Sequence, residues 1–448
     1  MADLLALSTR IIDSGVADEP VNRITQELSE LADGVALVES FSHVVALASD
    51  EGLVLFDTSG VHTARRVVES LRRWSSDPVH TIVYTHGHVD HVGGCGALLA
   101  DAASRGAARP RIVGHENVAA RFARYAATNG YNVAVNRRQF GGVRIGDIGI
   151  GGEERFLPSA TAPPDATFRE RMGLAPGGVR IELRHSRGET DDHLYAWLPA
   201  RRILCSGDFF LWYFPNAGNP QKAQRYPAEW ASALREMAGL GAELLLPAHG
   251  LPIAGRERIR GCLVDAATAL EHLVRETLAR MNAGLPLDAI LQEVRVPEEL
   301  LAKPYLRPFY DEPEFAVRNV WRLYGGWWDG NPAHLKPPPE RALAAELTRL
   351  AGGAAALAAR ARELAAAGEL RLACSLVELA ARAEPASRDA HGARAEIYEQ
   401  RRREELSLMA KGIYAAAARE SRERSEGRMG AGEGGRAPRP GRRKEGSG

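Results

Sequence analysis

Three histidines and an aspartate fall within six residues of this chain, in the run Thr85-His86-Gly87-His88-Val89-Asp90-His91-Val92-Gly93-Gly94. Buried polar groups need partners, and a knot of imidazoles and carboxylate this dense strands several of them unless a metal ion supplies the partner. The run follows a β-branched segment, Thr81 to Thr85, and opens a helix, so it occupies a strand end. Along that extended end His86 and His88 project to one side, while the turn into the helix lets Asp90 and His91 face a second ion. Gly93 and Gly94 allow the backbone to approach a neighbour closely.

The surroundings read as an α/β domain. Leu37 to Ala48, Gly52 to Asp57, Thr81 to Thr85, Arg111 to Gly114, Val179 to His185, Leu194 to Leu198, Arg202 to Ser206 and Glu243 to Pro247 carry strand-like runs. Thr63 to Trp74, Gly93 to Ala103, Val118 to Ala127 and Ala228 to Ala238 show the three-to-four spacing of amphipathic helices. Several of the strand runs are apolar throughout, as expected of sheets covered on both faces. After Pro252 the strands stop. Arg256 to Asn282 reads as one long helix closed by Gly284 and Pro286, and Lys336-Pro-Pro-Pro339 introduces an Ala/Leu/Arg/Glu-rich region from Glu340 to about Arg424. Within it Leu357 to Leu364, Leu370 to Ala383 and Asp389 to Arg403 read as successive helices, either tetratricopeptide-like hairpins or an ordinary bundle. Residues 425–448 are Gly-, Arg- and Pro-rich, and a disordered basic tail is expected there.

With 448 residues, 45% of them hydrophobic and 25% charged, the chain has room for a large core and ordinary globular composition. Its 57 basic and 57 acidic residues cancel, which disfavours a protein whose main task is to grip nucleic acid or an anionic membrane. Cys95, Cys205, Cys262 and Cys374 form no C-x-x-C pair, and neither a zinc ribbon nor a disulfide framework is indicated. The N-terminus lacks a basic and apolar leader, and no window reaches the ~18 apolar residues of a spanning helix. A soluble cytoplasmic protein is expected.

The H-x-H-x-D-H run resembles that of the metallo-β-lactamase superfamily, and the resemblance covers Gly34 to about Gly255. It implies an αββα sandwich of two mixed sheets between helical layers in a catalytic domain of residues 1–255, with further metal ligands from the ends of later strands. In Arg184-His185-Ser186-Arg187-Gly188-Glu189-Thr190-Asp191-Asp192-His193, the superfamily's usual histidine after the glycine is Glu189, as in members that resemble alkyl sulfatases. A carboxylate binds zinc at about 2.0–2.2 Å and can replace an imidazole. Asp191, Asp192 and His193 compete with it or hold the loop. Asp208, closing Cys205-Ser206-Gly207-Asp208, resembles the carboxylate that bridges two metals, and His249 in Pro247-Ala248-His249-Gly250 resembles the final histidine ligand. The implied centre is thus His86, His88 and Glu189 on one ion, Asp90, His91 and His249 on the other, and Asp208 between. Zinc suits these donors best, and iron or manganese would accept them. His115 and the remaining histidines read as structural.

Two such ions roughly 3.5–4 Å apart lower the pKa of a water between them toward ~7 and present hydroxide to an electrophile. Hydrolysis is therefore the expected reaction class. Two stretches bear on the substrate, Gly130 to Phe140 and Asp208 to Tyr226, where aromatics mix with amides and cations. Such a mixture can form a pocket with an apolar wall and an anion-binding end, to which Tyr131, Asn132, Arg137, Lys222 and Arg225 are assigned. Tyr213 or His193 is the candidate acid for the leaving group.

The stretch Val317 to Pro332, rich in Trp and Gly, looks like the start of the helical dimerisation domain of alkyl sulfatases, here residues 256–424, and extends the resemblance to about Glu420. It implies a homodimer that hydrolyses a small or amphiphilic sulfate ester, with no nucleic-acid partner and no stable membrane insertion. The chain departs from well-known alkyl sulfatases in three ways. They carry Glu where Asp208 stands, they have an Asn/His-rich stretch in place of Phe209 to Asn219, and they end in a sterol-carrier-like domain. Lactone, thioester or phosphoester hydrolysis by the same ions therefore stays open, as does C–O against S–O cleavage. A non-catalytic interaction protein is the reading outside enzymes.

Overall fold

The computed structural model describes residues 3–140 and 155–428. Among these residues, seven strands form one sheet in sequence order: β1 Leu28–Ala32, β2 Val35–Val38, β3 Val44–Ser49, β4 Gly52–Phe56, β5 Val79–Val83, β6 Arg111–His115 and β7 Ala166–Phe168. The first four pair antiparallel, and β4 to β7 pair parallel. A second sheet runs from β8 Arg171–Leu174 through β9 Ile181–His185, β10 Leu194–Leu198, β11 Ile203–Gly207 and β12 Leu244–Pro247 to β13 Ile253–Ala254. Its pairings are antiparallel except for β11 with β12.

Both faces of the first sheet are buried, which explains strands without polar alternation. Successive side chains point to opposite faces. In β3, Val45 and Leu47 join the core between the sheets, while Val44 and Ala46 face Val67, Leu71 and Leu98 of the helices Ala64–Trp74 and Cys95–Ser104. On the far side of the second sheet lie the helices Pro227–Gly239, through Trp230, Leu234 and Met237, and Arg256–Asn282, through Ile259, Leu263 and Leu270. The expected sandwich of two mixed sheets between helical layers is thus the observed architecture.

The segment read as one strand, Leu37 to Ala48, is two strands. The polar stretch Glu39–His43 interrupts the ladder: the Ser40 amide donates to His43 Nδ1 at 3.0 Å, and the His43 amide crosses to the Ala248 carbonyl at 2.7 Å. By compactness the chain divides at Asn331, so Arg256–Asn282 packs as an outer layer of the sheet unit, together with the helices Leu287–Glu293 and Pro313–Gly325 of the same unit. The second unit is helical: Glu340–Leu350, Ala354–Ala366, Leu370–Ala383, Arg388–Glu404 and most of Leu408–Ser425. Its core is alanine-rich, with Ala358, Ala361, Ala373 and Ala393 around Val377 and Ile397. Residues 429–448, most of the expected tail, lie outside the described residues. All four cysteines are free, and no single described helix is long and apolar enough to cross a membrane.

Candidate metal centre

The ends of β5, β9, β11 and β12 meet at one rim of the sandwich, and each delivers donors there. His86 and His88 follow β5, and the short helix Val89–Val92 carries Asp90 and His91. That helix can lie against the β4 end because Gly94 has no side chain: a Cβ there would sit 2.0 Å from the Thr58 carbonyl oxygen. Glu189 comes from the loop after β9, Asp208 from the residue after β11, and His249 from beyond β12.

The donors fall into two groups, His86, His88, Glu189 and Asp208 in one and Asp90, His91 and His249 in the other, with the ligand atoms of each group within 4.8 Å of one another. Asp208 reaches both, since its Oδ2 lies 3.4 Å from His91 Nε2 and 3.6 Å from His249 Nε2. Asp90 Oδ2 is 3.6 and 3.4 Å from the same two nitrogens. His91 Nε2 and Asp208 Oδ1 are buried without a hydrogen-bond partner. Orphaned ligand atoms of this kind, on imidazoles and carboxylates facing a common space, are the inventory a pair of divalent cations satisfies. The residues fit such ions.

Electrostatics agree. Burial pushes His86 and His88 well below the usual imidazole range, and neighbouring imidazoles and Arg225 push the same way, which keeps both rings in the uncharged form that a metal binds, with His86 Nε2 and His88 Nδ1 2.8 Å apart. Burial also lowers His91, but Asp208, Asp57 and Asp90 outweigh it and hold that ring well above its ordinary value. Burial raises Glu189 well above the usual carboxylate range against the pull of Arg225. Half-buried Asp90 stands with buried Glu189 and Asp208, and carboxylates gathered this closely are favoured in their charged forms by cations among them.

A supporting layer fixes the donors. Asp57, at φ +63°, accepts from the Thr85 amide at 2.7 Å and the Thr85 hydroxyl at 2.8 Å. Its Oδ2 also lies 2.7 Å from His91 Nδ1, an arrangement that puts the proton on Nδ1 and turns the Nε2 lone pair to the site. Buried Arg121 holds Asp192, which takes the Gly87 amide at 2.9 Å between His86 and His88. His193 stacks on Phe209 at 4.1 Å and accepts the Asp208 amide on Nε2 at 3.1 Å, and burial lowers it to about 3. That bond gives His193 a positioning task, and a neutral imidazole is a poor acid.

The other expected substrate residues divide. Arg225 is buried, donates to the Glu189 carbonyl and lies 3.2 Å from Glu189 Oε1, where Asn216 also donates. Lys222 is bound to Asn136 Oδ1 at 2.9 Å, and burial followed by Arg225 lowers it to about 7. Asn132 donates to the carbonyl and hydroxyl of Thr128, just ahead of its own helix, and Tyr131 and Arg137 are exposed. His115 is structural, with its ring nitrogens on the Arg169 carbonyl and the Asn117 amide. A chain of aromatics leads away from the donors. Phe41 meets the His249 ring at 5.5 Å, Phe140 packs with Phe41 and Tyr310, and Tyr310 lies 5.4 Å from Tyr213. Phe41, Asp57, Arg121 and Tyr310 carry no local sequence signal, because each depends on which strand ends meet.

Residues 37–249 match the family described as Metallo-beta-lactamase superfamily, and residues 287–424 match Alkyl sulfatase dimerisation. A linear primary-alkylsulfatase from a Pseudomonas strain is 28% identical over 318 residues, 68% of this chain and 60% of that protein. An (R)-specific secondary-alkylsulfatase of Pseudomonas sp. is 27% identical over 402 residues, 85% of this chain and 60% of that protein. This chain therefore spans about three fifths of their length. The solved structure of the stereoselective inverting sec-alkylsulfatase Pisa1 from Pseudomonas sp. superposes with a TM-score of 0.77 at 24% identity, over 90% of this chain and 66% of that one, a likeness of fold.

Proposed function

We propose, from the match of residues 37–249 to the metallo-beta-lactamase superfamily and of residues 287–424 to the alkyl sulfatase dimerisation family, that this chain is a binuclear metal hydrolase of alkyl sulfate esters. The observation that carries the reading is the convergence of seven donors in two groups around unpartnered His91 Nε2 and Asp208 Oδ1. His86, His88 and Glu189 would hold one ion, Asp90, His91 and His249 the other, and Asp208 both. Zinc is the first choice and iron or manganese the alternatives. Bound divalent ions supply Lewis acidity and a hydroxide nucleophile at neutral pH.

The chain's own residues do the rest. Asp57 and Asp192 keep the run His86–His91 in place. Lys222 draws the sulfate group, while Phe41, Phe140, Tyr213 and Tyr310 give the alkyl portion an apolar wall. Burial pushes the Tyr213 phenol well above its ordinary value, so it stays protonated and offers the leaving oxygen a hydrogen bond rather than a readily transferred proton. The dimerisation segment and the exposed leucines of Glu340–Leu350 support a homodimer.

Metal content by elemental analysis tests the centre, with about two ions per chain expected. A panel of alkyl sulfates, phosphate esters, thioesters and lactones then tests the substrate class: turnover confined to thioesters or lactones sinks the sulfatase reading. Hydrolysis in ¹⁸O-water assigns the bond, since label in sulfate means S–O cleavage and label in the alcohol means C–O cleavage.

A further inference from the structure

The loop from Asp208 to the helix Pro227–Gly239 carries Asn216, Lys222 and Arg225, and its course is fixed by residues beyond the sheet-forming part of the chain. Buried Asp311 takes the Gly218 amide on Oδ2 at 2.5 Å and the Glu312 amide on Oδ1 at 2.8 Å. Gly218 is pressed against the helix Pro313–Gly325, where a Cβ on it would lie 2.1 Å from the Phe315 carbonyl carbon. Further along that helix stands Asn319, also buried. Its Nδ2 donates to the Arg225 carbonyl at 3.0 Å, and its Oδ1 accepts from the Arg225 amide at 3.4 Å and from Gln224 Nε2 at 2.8 Å. Arg322 Nε donates to Gln224 Oε1 at 2.9 Å.

One side chain thus holds both backbone polar groups of Arg225, whose guanidinium in turn engages Glu189 through its carbonyl and Oε1. We infer that Asn319 is a positioning residue of the metal centre, acting through Arg225 to aim the Glu189 carboxylate at the ion held by His86 and His88. The inference rests on the metal reading above. Its physical content is that a ligating carboxylate offers a metal a defined lone pair only when its other contacts fix its orientation, and Arg225 can fix it only while its own backbone is fixed. The stretch Arg307 to Arg322 is then part of the site, although it belongs to the dimerisation segment by family. Tyr310 in the same stretch, beside Tyr213, fits that assignment.

The test is a zinc titration of the full-length, metal-stripped protein against a chromophoric chelator. Asn319→Ala should weaken one of the two zinc sites about 10–100-fold and leave the other unchanged. In an Arg225→Gln background the same change should add nothing, because both act along one path. Wild-type affinity at both sites in Asn319→Ala overturns the inference, and so does an additive loss in the double variant. Should alanine prevent folding, Asn319→Asp replaces it: it keeps the acceptor but sets a carboxylate oxygen against the Arg225 carbonyl, and the same two outcomes decide. A wild-type chain that binds none of zinc, iron and manganese refutes the metal reading itself, whereas wild-type binding with an unaffected variant refutes only the role of Asn319.

Discussion

Asp57 concentrates three demands on one carboxylate: it takes the Thr85 amide and hydroxyl and sets the His91 tautomer, all from a left-handed backbone at φ +63°. Asp57→Asn leaves one side-chain oxygen for three donors, so a fall of about 10–100-fold in zinc affinity is expected, read by chelator competition. Unchanged affinity would show that His91 is held by Ser42, whose Oγ lies 3.1 Å from the same nitrogen. Removal of a donor outright is harsher. His88→Ala should lower kcat by at least about 10³-fold, ~4 kcal/mol, with the circular dichroism spectrum retained. Lys222 supplies the pH dependence. Burial and Arg225 lower its ammonium to about 7, so the charge is present below that pH and lost above it. An anion that pairs with the ammonium is favoured where the charge exists. Inhibition by inorganic sulfate should therefore weaken as pH rises through about 7, and Lys222→Met should flatten that profile. The local run His86–His91 was legible because its donors are neighbours in sequence. Glu189, Asp208 and His249 were legible through a family resemblance, and Asp57, Asp311 and Asn319 were not, since their partners lie 28 to 94 residues away.

At the scale of elements, periodicity carried most of the fold. The helix Arg256–Asn282 and the apolar strands around it follow directly from spacing and from burial on both faces. Spacing failed where a polar interruption mattered more than composition, as at Glu39–His43, because the bonds that bend the chain there cross to Ala248 and Gly250. Apolar runs also say nothing about which layer they join. The close seating of the helix Val89–Val92 and its successor Cys95–Ser104 on the β4 end depends on Gly94. Gly94→Ala would drive its Cβ into the Thr58 carbonyl, and a backbone atom cannot swing aside as a side chain does. A loss of about 1–3 kcal/mol is expected in urea denaturation, with reduced zinc uptake because the same shift moves Asp90 and His91. Full stability in that variant would mean the β4 end yields.

The whole molecule has more apolar surface than one chain covers. On the helix Glu340–Leu350, Ala344 and Thr348 are buried while Leu343, Leu347 and Leu350 are 48%, 38% and 71% exposed. Residues three, four and seven apart form one stripe, which is the face a helix reserves for a partner. Tyr324 and Trp327, at 50% and 69% exposure, add a second apolar group within the sheet unit. Fully burying a leucine contributes about 1.5–3 kcal/mol and association costs about 4–15 kcal/mol of freedom, so these partly exposed leucines can supply a large share of an interface but need further contacts to make it stable. If the stripe is covered by a second copy, Leu347→Glu with Leu350→Glu should raise the dimer Kd at least about 10²-fold, ~2.7 kcal/mol, and give a monomer in light scattering. Zinc content should stay as in the wild type, because the donors all lie in residues 86–249. A variant that remains dimeric would move the interface off this helix and leave Tyr324 and Trp327 as the surface to change next.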